Sequence, residues 1–177
     1  KENILNQKDY DSFLECEKEF IEPFKHIFLL ERKRLRKENV DNWIALHEIY
    51  PDVIKALKFL HLKEKLFIAT LKDKESVFLI LNSVGINLLE SEILDQSQIK
   101  SKLEALNIVC RDKELKKEDL LFLDDNVTHL KDPHLNGYNV LHTSWGNCLK
   151  EHHEEAKKIG ITSLKGIDGN TLNFIYT

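Results

Sequence analysis

An α/β fold with a parallel sheet, preceded by a helical piece, is predicted by two observations. From residue 66 onward, short apolar runs alternate with helical patterns of roughly ten to fifteen residues, the pattern of successive βα units. Before that point the chain has no glycine at all; the first of six is Gly85, so little in the N-terminal half punctuates tight turns.

The elements follow in order. Between residues 10 and 35, Phe13, Leu14, Phe20, Ile21, Phe24, Ile27, Phe28, Leu30 and Leu35 recur at three- and four-residue spacings among Glu, Lys and Arg, which predicts two or more amphipathic helices, adjusted at Pro23. A short helical piece around Trp43, Ile44 and Leu46 ends at Tyr50-Pro51, because the residue before proline is pushed out of the helical region. Pro51 opens a new helix over 52–61. Strands are expected at 66–69, 120–123 and 138–141, with a short fourth at 161–164. Helices are expected at 74–84, closed by Gly85, at 100–106, at 127–131, and at 149–159, closed by Gly160. The one boundary falls near residues 48–51, giving a helical part, 1–48, and an α/β part, 49–177.

Composition narrows the function. The 177 residues are 42% apolar and 32% charged, the balance of a folded soluble chain. Lys plus Arg total 26 and Asp plus Glu total 30, a net charge of −4 that leaves no electrostatic footprint for nucleic acid or an anionic membrane. Cys16, Cys110 and Cys148 are widely spaced with no Cys-x-x-Cys, so neither a disulfide framework nor a zinc site is indicated and a cytoplasmic setting is expected. No run approaches a membrane span.

In open α/β sheets ligands bind beyond the carboxyl ends of the strands. Thr70 follows the first expected strand and precedes a helix start at 71–73, where a hydroxyl and free backbone N–H groups share an anion-sized space; a turn threonine would look the same. Asp124-Asp125 follows four apolar residues. Two such adjacent carboxylates are costly to bury without a cation, and their hard oxygens suit Mg²⁺; solvated caps are the plainer alternative. Lys100 and Lys102 head the helix between these motifs, where an ammonium could steady a phosphate, although each alone reads as a surface lysine. His152 and His153 are adjacent on a helix, so they point to different faces and a solvated surface is expected for them rather than, with His142, a metal set. Trp145-Gly146 closes the site edge or packs the core, and Cys110 and Cys148 read as ordinary thiols.

Taken in order, the strand-tip threonine, the lysine at a helix head and the Asp-Asp pair resemble motifs II, III and IV of the haloacid dehalogenase (HAD) superfamily. The resemblance covers about residues 50 to 145. It includes Tyr50-Pro51-Asp52-Val53 before the helix that leads to motif II, and Asn136-Gly137-Tyr138-Asn139-Val140 before the last core strand. It implies a three-layer Rossmann-like core with residues 9–48 as a helical cap, and a phosphatase acting on a small phosphorylated metabolite. In that scheme Asp125 holds Mg²⁺, with Asp124 directly or through water. Lys100 is the catalytic lysine, with Lys102 in reserve, and Thr70 and Lys100 bind the phosphoryl oxygens. The family's first motif, Asp-x-Asp-x-Thr/Val, supplies the nucleophile and is not found in the sequence. Nor is any methionine, where about three or four would be ordinary. Both facts are expected of a chain that continues upstream through one strand and one helix. The alternative is a noncatalytic HAD-like binding protein that keeps the fold with a degenerate site.

Overall fold

A computed structural model describes residues 6–63, 65–146 and 148–167. The chain divides into two compact units, Lys1–Ile49 and Tyr50–Thr177.

In the first unit, α1 (Gln7–Cys16) starts where Asn6 caps the Asp9 N–H, and α2 (Lys18–Glu38) runs on from it. The break falls at Glu17 rather than at Pro23, which lies within α2. Asn39 then caps α3 (Val40–Ala45) through the Asn42 N–H. Trp43 is buried, with the Arg36 guanidinium 5.8 Å from its ring centroid, a cation–π contact between α2 and α3.

The second unit opens with α4 (Pro51–Leu62), whose first residue is the proline the sequence places there. It continues β1 (Ile68–Ala69), α5 (Lys74–Ser83), β2 (Ile93–Leu94), α6 (Lys102–Asp112), β3 (Leu121–Asp124), α7 (Val127–Leu135), β4 (Asn139–Thr143), α8 (Lys150–Lys158) and β5 (Thr162–Leu164). All strand pairs are parallel: β1 with β2, and β3 with β4 with β5. The mixed helix and parallel-sheet architecture is therefore α/β.

Alternation along the strands sorts their side chains to two faces. Leu66, Ile68 and Ile93 pack with Ile54, Leu57 and Leu60 of α4 and Val77 and Leu81 of α5. Phe67, Ala69 and Leu94 pack with Ala105 and Val109 of α6. In the other sheet Phe122 and Val140 meet Leu106 of α6, Val127 and Leu130 of α7 and Ala156 of α8. Val127 and Leu130 are wholly buried, and burial of such side chains stabilises by roughly 1.5–3 kcal/mol each.

Two sequence expectations change. Strand β2 was not anticipated, because its two residues follow a 3₁₀ turn at Glu90–Glu92 and show no apolar run of strand length. The helix expected from residue 100 begins at Lys102, one residue past its Ser101 cap. Gly85 and Gly160 end α5 and α8 as expected, with φ of +78° and +79° that favour glycine.

Candidate active site

The carboxyl ends of β1 and β3 meet around one ammonium. The Lys102 Nζ donates to the Ala69 carbonyl at the end of β1, and lies 3.8 Å from Asp124 Oδ2 at the end of β3. Both side chains are about nine-tenths buried, 10% and 11% exposed. Burial pulls the Lys102 pKa below its ordinary value, and the charges of Asp124 and Asp125 oppose that pull.

Helix capping explains why this lysine is the one at the site. Ser101 accepts the Glu104 N–H at 3.1 Å, and Glu104 reaches back to the Lys100 N–H at 2.6 Å. The Ser101 cap puts Lys102 in the first helical position, facing the sheet, and leaves Lys100 exposed before the cap. Lys100, expected as the catalytic and phosphate-binding lysine, is exposed, and Lys102, the reserve choice, is the lysine brought to the strand ends. Ser101-Lys102-Leu103-Glu104 has the Ser-x-x-Glu spacing that marks a helix start in sequence, although Glu104 here bonds the Lys100 N–H rather than that of Ser101.

Thr70 follows β1 as expected. Its backbone N–H donates to Leu94 O at 2.9 Å, extending the β1–β2 ladder, and its hydroxyl accepts the Lys72 N–H at 3.0 Å. The hydroxyl proton is left to donate elsewhere. Asp124 accepts from the Asn126 N–H at 2.8 Å and from His129 Nδ1 at 3.0 and 3.1 Å. Burial raises its pKa, but the His129 and Asn126 hydrogen bonds and the charges of His129 and Lys102 outweigh burial, and the carboxyl stays below its ordinary 3.8. With the folded value the lower one, these contacts stabilise the fold fully above pH 3.8 and lose that effect as pH falls through the folded value. Asp124→Asn should lower the urea stability of the chain by roughly 2 kcal/mol at pH 7, and the gap to wild type should narrow at pH 3. An equal gap at both pH values would refute this account.

Asp125 is held from the other side. Its backbone carbonyl accepts from His142 Nε2 and from the Cys148 thiol, each at 3.1 Å. Gly146 packs so closely that a Cβ built there would stand 2.5 Å from Asp125 Oδ2. Burial, then the charges of Asp125 and Asp124, push the Cys148 thiol up, so it stays protonated and can donate. The expectation of a solvated histidine surface fails in part. His142 is fully buried, and His152 is 4% exposed, its Nδ1 accepting the Leu149 N–H at 3.4 Å; His153 is exposed. Among the described residues no three His, Cys, Asp or Glu side chains converge as a metal-ligand set.

Three residues that matter here were not singled out for the site from the sequence. His129, on the first turn of α7, became visible only through its contact with Asp124. Asp95, just after β2, is buried and accepts from the N–H of Lys74 at the start of α5 (2.9 Å) and from Ser97, which ties the β2 tip to α5. Because β2 is so short, nothing marked Asp95 as a strand-tip residue. From the sequence His142 reads only as a potential metal ligand. The one Asp-x-Asp sequence in the chain, Asp9-Tyr10-Asp11, lies inside α1 and not at a strand tip.

No protein-family model matches the chain, and no curated protein matches it. Among solved structures it is similar to the crystal structure of a predicted phosphoglycolate phosphatase from Haemophilus somnus 129PT, at 20% identity and a TM-score of 0.53. The match covers 73% of this chain and 58% of that one, so the chain spans little more than half the length of its structural neighbour. At this identity the similarity speaks to the fold alone, an α/β arrangement shared with that protein. Among the described residues no helix is long and apolar enough to cross a membrane.

Proposed function

We propose that this chain is the core of a HAD-like phosphatase acting on a small phosphorylated metabolite in the cytoplasm. The reading takes 49–177 as a three-layer Rossmann-like core and 9–48 as a helical cap. The observation that carries it is the placement of Lys102. A buried ammonium costs desolvation, and this one sits where β1 and β3 end, on the carbonyl of Ala69, which precedes Thr70, and beside Asp124 of the Asp pair. Purely structural packing would be served as well by an apolar side chain there.

The donor chemistry fits Mg²⁺. That ion takes one or two protein carboxylates and completes its shell with water and substrate phosphate oxygens. Asp125 would hold it, with Asp124 directly or through water, and Asp124 is kept ionised by its neighbours. When bound, the ion offsets charge that develops on the phosphoryl oxygens. Lys102 Nζ and the Thr70 hydroxyl would hold those oxygens as well. In the covalent route an aspartate carboxylate attacks phosphorus. The P–O ester bond breaks with its electron pair on the leaving oxygen, which takes a proton. Water then cleaves the acyl phosphate to inorganic phosphate and the original carboxylate. Residues 1–177 contain no Asp-x-Asp-x-Thr/Val, and on this reading that carboxylate is supplied from outside them. The same inventory favours a second reading, a noncatalytic HAD-like binding protein.

Turnover separates the two. Residues 1–177 alone should hydrolyse no aryl phosphate in Mg²⁺. A preparation that also carries an apolar strand ending in Asp-x-Asp-x-Thr/Val should hydrolyse it, and Asp125→Asn should abolish the activity. Activity of 1–177 alone that disappears in Asp125→Asn would place the nucleophile within these residues. A complete preparation with no activity would favour the binding protein.

A further inference from the structure

At the carboxyl edge of the second sheet, the strand register aligns Asp124 on β3, His142 on β4 and Ser163 on β5 in one row. Register partners in a parallel ladder place their side chains on the same face, here the one covered by α7 and α8. His142 lies at the centre of this row with no exposed surface, and besides the Cys148 sulfur (3.4 Å from Nε2) and the His153 ring (centroids 5.2 Å apart) it has two closer hydrogen-bonding partners. Its Nε2 is 3.1 Å from the Asp125 carbonyl oxygen, and its Nδ1 is 3.0 Å from the Ser163 hydroxyl.

A carbonyl only accepts, so Nε2 carries the hydrogen; Nδ1 is then the acceptor, and the Ser163 hydroxyl donates to it. The row thus selects one tautomer, with Ser163 orienting the ring from behind. The Cys148 thiol donates to the same Asp125 carbonyl, which fills both of its lone pairs. A leucine would fill the space between β3 and β4 without the cost of burying a polar ring. What the imidazole adds is direction: it fixes the peptide that follows Asp125.

We propose that His142 is a positioning residue that, with Ser163 behind it, fixes the Asp125 peptide and so aims the Asp125 carboxylate at a divalent cation. The inference rests on the reading of Asp125 as a cation ligand, and the test keeps the two apart.

The full 177-residue chain is titrated with MgCl₂ alone, and binding is read from the rise in melting temperature, which follows RT ln(1 + [Mg²⁺]/Kd). Asp125→Asn tests the cation reading and should remove the response. His142→Gln keeps an amide donor near the position of Nε2 and should hold Kd within about threefold, whereas His142→Asn keeps only the group near Nδ1 and should weaken Mg²⁺ binding roughly 10- to 100-fold. Ser163→Ala leaves the ring in place. Nitrogen-15 NMR of the imidazole should show the Nε2–H tautomer in wild type and a mixture in Ser163→Ala, with weaker Mg²⁺ binding. If Asp125→Asn loses the response while folded His142→Asn keeps wild-type affinity, the positioning role is overturned and the cation reading survives. If wild type and Asp125→Asn respond alike, the cation reading fails and the inference falls with it. Should His142→Asn not fold, Ser163→Ala decides: unchanged affinity and tautomer overturn the proposal.

Discussion

Lys102→Ala should lower kcat/KM about a hundredfold in a preparation that carries the nucleophile, while Lys100→Ala should change it by less than about twofold. An ammonium aimed at a transferring phosphoryl group acts chiefly on the transition state, where the equatorial oxygens gain charge, so the loss should appear in kcat more than in KM. Removal of one such preorganised donor typically costs roughly 3 kcal/mol. Lys100 is exposed and lies before the helix cap, so it provides the internal control. A second readout separates function from packing. Burial lowers the Lys102 pKa below 10.5, so the cost of carrying its charge is present in full at neutral pH. That cost fades only as pH rises through the folded value toward 10.5. Lys102→Met should therefore leave the melting temperature at pH 7 unchanged or raise it, even as activity collapses. A structural lysine would show the reverse, a fall in stability with activity kept. If Lys102→Ala retains full activity, the strand-tip cluster is a coincidence of packing and the phosphatase reading loses its support.

The parts of this molecule that could be read from sequence are those where one physical signal dominates. Leu121, Phe122 and Leu123 form an apolar run long enough to mark a buried parallel strand, and Asp124-Asp125 at its end stands out because carboxylates rarely follow such a run without a reason. Gly85 and Gly160 marked helix ends because few other residues adopt their backbone angles at low cost. Signals failed where tertiary contacts decide. Strand β2 has two residues, and only its pairing with β1 makes it a strand. Which of Lys100 and Lys102 lies at the strand ends depends on a two-residue difference in where the helix begins, which the Ser101 cap fixes and periodicity does not. His142 gave no local sign of its role, because its partners, Asp125 and Ser163, lie 17 and 21 residues away along the chain and meet it only through the register of three strands.

Gly146→Ala should remove most of the Mg²⁺ response of the chain, about as completely as Asp125→Asn does. The added methyl carbon would stand 2.4 Å from Asp125 Cβ, 2.5 Å from its Oδ2 and 2.8 Å from its Cγ, all inside the 3.0 Å that real Cβ atoms keep. Something has to move, and the surroundings decide what. The loop is tied down before the glycine by the Ser144 N–H and hydroxyl, both donating to Leu164 O at 2.9 and 2.7 Å, and by the Gly146 N–H to Thr143 O at 3.2 Å. After it, the Cys148 N–H donates to Gly146 O at 2.9 Å. The Asp125 carbonyl is held by His142 and Cys148, so its backbone cannot easily retreat. The tightest clash is with Asp125 Cβ, which side-chain rotation does not move, so relief has to strain these held backbones and displaces with them the carboxylate the cation needs. Such overpacking should also cost the metal-free chain roughly 1–3 kcal/mol, which for a chain of this size is about 2–4 °C of melting temperature per kcal/mol. Gly166→Ala is the matched control, since a Cβ there meets nothing within 4 Å and its φ is not in the left-handed region. A folded Gly146→Ala chain that binds Mg²⁺ with wild-type affinity would mean that the carboxylate pressed against Gly146 is not the one that takes the ion, and Asp124 with His129 would become the place to look.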